Sequence, residues 1–139
     1  MIFWDSSALV SLLVDECDSG RRLQQLRADT DLAVWWATPV ECESAIQRRL
    51  REGILAIGQA RVARHRLDEL SAAWHEVSPI TPIRRLARRL LRTHPLRGAD
   101  ALQLAAALAL HQEGFTDLAF ACADERLSAA AEVEGLVII

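Results

Sequence analysis

The sequence predicts an α/β fold with a mostly parallel central sheet of about four or five strands flanked by helices on both faces. Three observations lead there. Short apolar runs alternate with long helical ones along the whole chain. Strands separated by helices need crossover connections, which favour parallel pairing. A hydrophobic content of 51% over 139 residues is enough for a substantial core, and residues 1–139 fit one domain of the commonest size.

"IFW" reads as the first strand, followed by a helix from about Ser7 to Val14. "SGRRLQQLRAD" reads as a second helix and "DLAVWWA" as a second strand. "TPVECESAIQRRLREG" is a helix with Thr38 at its N-cap, Pro39 at its first helical position and Gly53 as its stop. A long helix follows from Leu55 to about His75, with apolar residues near every third or fourth place. "VSPI" is short enough to be a strand or a connector. "PIRRLARRLLRTH" and "GADALQLAAALALHQEG" are two further helices, the second stopped by Gly114. "DLAFACA" is a buried strand, "DERLSAAAEVEG" a helix and "LVII" a closing strand. No internal repeat or low-complexity segment interrupts this order.

Composition excludes several function classes. No apolar run reaches the roughly 18 residues that span a bilayer, and the N-terminus has no basic signal region, so the expectation is a soluble cytoplasmic protein. Cys17, Cys42 and Cys122 are odd in number and far apart, which predicts buried, reduced thiols rather than disulfides or a zinc site. All sixteen basic residues are arginines. Without lysine, a Walker P-loop and a phospho-acceptor receiver domain both lose an essential residue. The histidines at 65, 75, 94 and 111 are scattered and read as ordinary helix or surface residues. Ser6 and Ser7 lack the Gly-x-Ser-x-Gly elbow of a serine nucleophile.

The acids carry the chemistry. Ligands in such a sheet bind beyond the carboxyl ends of the strands, where strand turns into helix. Asp5 follows "IFW", Glu41 lies in the first turn after "LAVWWA", Asp124 follows "LAFACA", and Asp100 begins the helix "ADALQLAAAL". Each has a local explanation. Asp5 and Asp124 can cap their helices, Thr38 with Glu41 matches a capping box, and Asp100 with Gln103 resembles the same device. Together, however, converging carboxylates repel and are driven towards protonation unless a cation neutralises them. An all-oxygen set suits Mg²⁺ or Mn²⁺, and such ions activate water against a phosphodiester. Helical periodicity leaves Glu41 and Glu43 both open as the second acid.

"FWDSSALVSLL", "TPVECESAIQRR", "RGADALQLAAALAL" and "CADERLSAAAEVEGL" resemble the four signature segments of PIN-domain ribonucleases, and among them the VapC-type toxins of bacterial toxin–antitoxin pairs. The resemblance covers nearly the whole chain. It implies a Mg²⁺- or Mn²⁺-dependent endoribonuclease that acts on RNA, is restrained by a small antitoxin protein and is commonly a homodimer. It places the family acids on Asp5, Glu41, Asp100 and Asp124, with Ser6 as the small hydroxyl neighbour of the first. The pattern Glu-x-x-x-Ala-apolar-x-Arg favours Glu41 over Glu43. Related sequences often carry Thr or Ser where this one has Cys122, so a supporting hydrogen bond is weakened by the poorer donor.

Nine arginines lie between Arg61 and Arg97. Arg84, Arg88 and Arg92 repeat every fourth residue, with Arg85 and Arg89 beside them. This is either a solvated helix face or a surface for RNA phosphates or an acidic partner, because like charges at that spacing repel and the helix has no acids of its own. Arg97, close to Asp100, is the arginine expected nearest a scissile phosphate. Trp35 and Trp36 are adjacent and should point to opposite faces, one in the core and one under a helix or against a base. The helices "SGRRLQQLRAD" and Leu55–His75 offer apolar stripes for the core, for an antitoxin helix or for a second subunit. Two other readings stay open: a non-catalytic PIN-like module that binds RNA or protein, and a DNA-directed nuclease using the same metal chemistry.

Overall fold

A computed structural model describes residues 1–139. In chain order the elements are β1 (Ile2–Trp4), α1 (Ser6–Leu13), α2 (Ser19–Ala28), β2 (Leu32–Trp35), α3 (Thr38–Arg51) and α4 (Ile57–Ser71). There follow β3 (His75–Val77), α5 (Thr81–Thr93), α6 (Gly98–Gln112), β4 (Ala119–Ala121), α7 (Glu125–Val133) and β5 (Val137–Ile138). The five strands form one sheet in the order β3-β2-β1-β4-β5, and every pairing is parallel. The four strands that lead into helices, β1 to β4, therefore do so at the same edge.

Strand alternation divides the core in two. Phe3, Ala33, Trp35 and Phe120 face α5, α6 and α7. Ile2, Trp4, Leu32, Val34 and Ala121 face α1, α3 and α4. Phe3 and Phe120 stack across the β1–β4 pair with ring centroids 5.7 Å apart. Each such large apolar side chain, fully buried, contributes about 1.5–3 kcal/mol. Helix α6 is buried on most of its surface, and Ala101, Ala105, Ala106 and Ala107 let it lie close to the sheet and to α5. Gly53 and Gly114 stop α3 and α6 in the left-handed region (φ 73° and 113°), where a side chain would be strained.

Several expectations are corrected. The long helix ends at Ser71, so His75 opens β3 instead of closing α4, and "VSPI" contributes only Val77 to a strand. β3 is an edge strand with His75 and Glu76 exposed, so it has no apolar run to announce it. Cys17 is exposed, unlike buried Cys42 and Cys122, because it sits in the polar turn before α2. Trp35 is core, but Trp36 is 53% exposed and lies under no helix. Arg89, on a helix without acids, finds one across the fold: Glu134, after α7, accepts from its guanidinium at 2.6 and 3.2 Å and also meets His94 Nε2 at 2.8 Å. No helix is long and apolar enough to cross a membrane.

Candidate active site

The common carboxyl edge brings the first three acids into one electrostatic field. Asp5 ends β1 and caps α1, its Oδ2 accepting from the Ser7 N–H at 2.9 Å and from the Ser7 hydroxyl. The residue is only 3% exposed. Burial drives its carboxyl above the ordinary value, the Ser7 hydrogen bonds pull it back, and the charge of Asp100 pushes it further up. Glu41 behaves alike: burial raises it most, Ser6 and Gln103 oppose, and the charges of Asp5 and Asp100 add to the rise.

Local capping explains some of these acids but not Glu41. Thr38 is the first residue inside α3, the cap is Ala37, and no side chain caps this helix. The expected capping box between Thr38 and Glu41 is therefore absent. Glu41 instead accepts from Ser6 Oγ at 2.8 Å and from Gln103 Nε2 at 3.2 Å. The same Gln103 nitrogen reaches Thr38 Oγ1 at 3.2 Å. Gln103 is thus a bridge to α3 and not Asp100's capping partner; Asp100 itself accepts from the Arg97 N–H at 3.0 Å. Gln103 is fully buried, and its Oε1 has no donor. Glu43 turns away to Arg64 on α4 (2.9 Å) and to Gln47 (2.8 Å), which hold it below the usual carboxylate range. Of the two glutamates, Glu41 is the one that lies in the field of Asp5 and Asp100.

Asp124 is tied to this group through its neighbours. Its Oδ1 accepts from the Leu127 N–H at 2.9 Å, capping α7. The Cys122 thiol lies 3.7 Å from Asp5 Oδ2 and accepts from the Asp124 N–H at 3.3 Å. Burial, followed by the Asp5 charge, pushes this thiol up to about 11, so it stays protonated and able to donate weakly. The strong donor that a hydroxyl at 122 would have provided comes from Ser7, which also accepts from the Ala123 N–H at 2.9 Å. Arg97, Arg84 and Arg88 are all exposed, Arg97 at the start of α6 and the other two along α5.

Sequence reasoning missed the work of Ser7 and Gln103, and missed Arg22 entirely. An amide set among the alanines and leucines in the body of α6 was a readable signal for Gln103. Arg22 had none. Its fully buried guanidinium donates to Asp18 Oδ2 (2.7 Å), Gln25 Oε1 (3.1 Å), the Ile139 carbonyl (2.9 Å) and the Cys122 carbonyl (2.7 Å), the last in the turn that carries Asp124.

The donor set is all oxygen, and two of its acids are raised by burial and then by the charge of neighbouring acids, which is the environment a hard divalent cation relieves. No three His, Cys, Asp or Glu side chains close on one point as a ready ligand cage. The chemistry of the donors fits Mg²⁺ or Mn²⁺, while the carboxylates stand as an open group.

The PIN-domain family model matches residues 2–133. The chain belongs to the PIN-domain family. It is 32% identical over 136 residues to Ribonuclease VapC45 of Mycobacterium tuberculosis, covering 97% of this chain and 92% of that protein. Among solved structures, M. tuberculosis VapC20, a sarcin-ricin loop cleaving toxin, superimposes with a TM-score of 0.66 at 20% identity, covering 99% of this chain and 97% of that one. VapBC2 from Rickettsia felis, bound to a DNA fragment from its promoter, gives 0.65 at 12% identity over 100% and 98%. The structures are similar in fold; the ribonuclease VapC45 is similar in sequence along nearly its full length.

Proposed function

We propose that this PIN-domain chain is the endoribonuclease toxin of a toxin–antitoxin pair, acting in the cytoplasm as a homodimer and restrained by a small antitoxin protein. The observation that carries the reading is the convergence of Asp5, Glu41 and Asp100 at one sheet edge, where Asp5 and Glu41 are driven up by burial and by the charge of neighbouring acids. Full-length similarity to a protein named as a ribonuclease supports RNA as the substrate.

Asp5, Glu41, Asp100 and Asp124 would hold Mg²⁺ or Mn²⁺, which when bound supplies an activated water and charge neutralisation at the phosphate. Ser7 and Cys122 fix the rotamer of Asp5 by donating to one of its oxygens. Ser6 and Gln103 hold Glu41 by both oxygens, so its carboxylate cannot rotate away when RNA enters. Arg97 presents an exposed guanidinium at the start of α6, one turn from Asp100, where it can take a phosphate through its planar fork.

The experiment is cleavage of a mixed structured RNA by purified protein in Mg²⁺, Mn²⁺ or EDTA, beside folded Asp5→Asn and Asp100→Asn. Metal-dependent cutting that both substitutions abolish is the expected result. Cutting that survives in both variants, or wild-type protein that binds RNA without cutting it in either metal, overturns the reading, the latter in favour of a binding module.

A further inference from the structure

A second feature of the same edge has no part in the site above. A cleft of about 260 Å³ opens between the end of β2, the β3–α5 connection and α6, lined by Trp35, Pro79, Ile80, Thr81, Arg84 and Leu102. It is joined to the acids along the chain. Leu102 lines the cleft while Gln103, the next residue, holds Glu41, and Asp100 precedes Leu102 by two positions. Trp35 leads through the β2–α3 turn to Thr38, the other residue that Gln103 holds.

The lining is suited to a flat, partly polar ligand. Ile80 is 49% exposed, and Pro79 and Thr81 are exposed beside it, so the apolar wall meets solvent on the α5 side. Trp35 is 96% buried by contrast (4% exposed), and its indole N–H has no acceptor in the protein. A buried donor without a partner is costly, and an acceptor brought by a ligand would meet the need. Helix α5 starts at the cleft with Ile80 as its cap, so no side chain serves its first N–H groups. Arg84 stands at the rim, and Arg88 follows one turn along the same helix face, both exposed. Neither forms an ion pair, whereas Arg89 on the neighbouring face is taken by Glu134.

We propose that this cleft is a nucleobase subsite, in which one base of single-stranded RNA lies between Ile80 and Leu102 over Trp35, with its adjoining phosphate on Arg84. Apolar and aromatic walls accept the face of any base, an arginine takes the phosphate, and the chain of positive charge continues to Arg88. Leu102 neighbours Gln103 and Asp100 along α6, so the base would be held at the same end of the sheet as the acids. The inference rests on the reading of the chain as an RNA-cleaving enzyme, and it assigns a determinant of which RNA segments fit.

The test follows the four tryptophan indole N–H signals by nuclear magnetic resonance in EDTA, assigned with single Trp→Phe variants. The probes are a short single-stranded oligoribonucleotide, its abasic counterpart and inorganic phosphate. The expected result is that the oligoribonucleotide shifts the Trp35 signal and leaves that of Trp4, which is buried under the opposite face, in place. Arg84→Gln should weaken the titration about tenfold, with an unmoved Trp4 signal showing that the fold is intact. A Trp35 signal indifferent to the oligoribonucleotide overturns the proposal. So does an equal response to abasic strand or phosphate, which would make the cleft an anion site only. Nothing in this measurement depends on cleavage, so its failure leaves the acid edge untouched, and a failed cleavage assay leaves the cleft's titration readable.

Discussion

Two buried charges in this molecule are treated in opposite ways. Arg22, fully buried, is met by a carboxylate, an amide oxygen and two backbone carbonyls. Asp5, 3% exposed, receives hydrogen bonds from Ser7 and a weak one from Cys122, but no cation of the protein reaches it, and its nearest charged influence is another acid. The fold satisfies the first charge from within and leaves the second dependent on something from outside. A buried ion whose needs are met internally is a structural part; one kept short of a counter-charge is a site held ready for a ligand.

The comparison can be broken most severely at Arg22. Arg22→Ala removes the donor that joins α2 to the β4–α7 turn and orphans two carbonyls, which should cost about 3 kcal/mol in urea unfolding. A loss below about 0.5 kcal/mol would mean that water replaces the guanidinium without penalty.

Asp5→Asn should do the reverse in EDTA at neutral pH. Asparagine still caps α1 but carries no charge to bury, so the variant should melt higher, by about 4 °C for each kcal/mol gained in a chain of this size. Mg²⁺ should then raise the melting temperature of wild type and not of the variant, through binding to the folded state alone. A variant that melts lower in EDTA would show that the carboxylate is at ease where it is.

The pH dependence sharpens the same contrast. Asp5 and Glu41 are both raised in the folded state. Their contribution to stability is full below their ordinary values, 3.8 and 4.5, and is lost as pH rises through the higher folded values. Metal-free wild type should therefore lose stability relative to Asp5→Asn as pH climbs from about 4 towards 7, as followed by thermal melts. Glu134 runs the other way. Its carboxyl is held low by the hydrogen bonds from Arg89 and then His94, so its contribution is present above 4.5 and lost as pH falls through the folded value. Glu134→Gln should cost about 1 kcal/mol at neutral pH and less in acid, the smallest effect of the series.

The fold and the acids were legible for different physical reasons. Buried strands such as "IFW" and "LAVW" announce themselves by unbroken apolarity, and glycine stops at 53 and 114 by the conformation they permit. β3 was invisible because an exposed edge strand needs no apolar run. Asp5 and Asp124 do cap their helices, so the local explanation holds for both, and Asp5 in addition feels the charge of Asp100. Glu41 stands out as the acid in the first turn after a strand, and the capping box that offered it a purely local explanation does not form. What could not be read was partnership across distance. Ser7 to residue 123, Gln103 to Thr38 and Arg22 to Cys122 depend on how helices seat against the sheet, and no spacing in the chain encodes that.

The central strand has a further consequence for the order in which this protein comes into being. β1 is synthesised well before one of its two neighbours, β4, which pairs Ala119 with Ile2. Until then Asp5 has neither the turn that carries Asp124 nor the Cys122 contact beside it. A nascent or truncated chain lacking β4 holds Asp5 without Asp124, so the edge cannot assemble before β4 and the turn that follows it have been made.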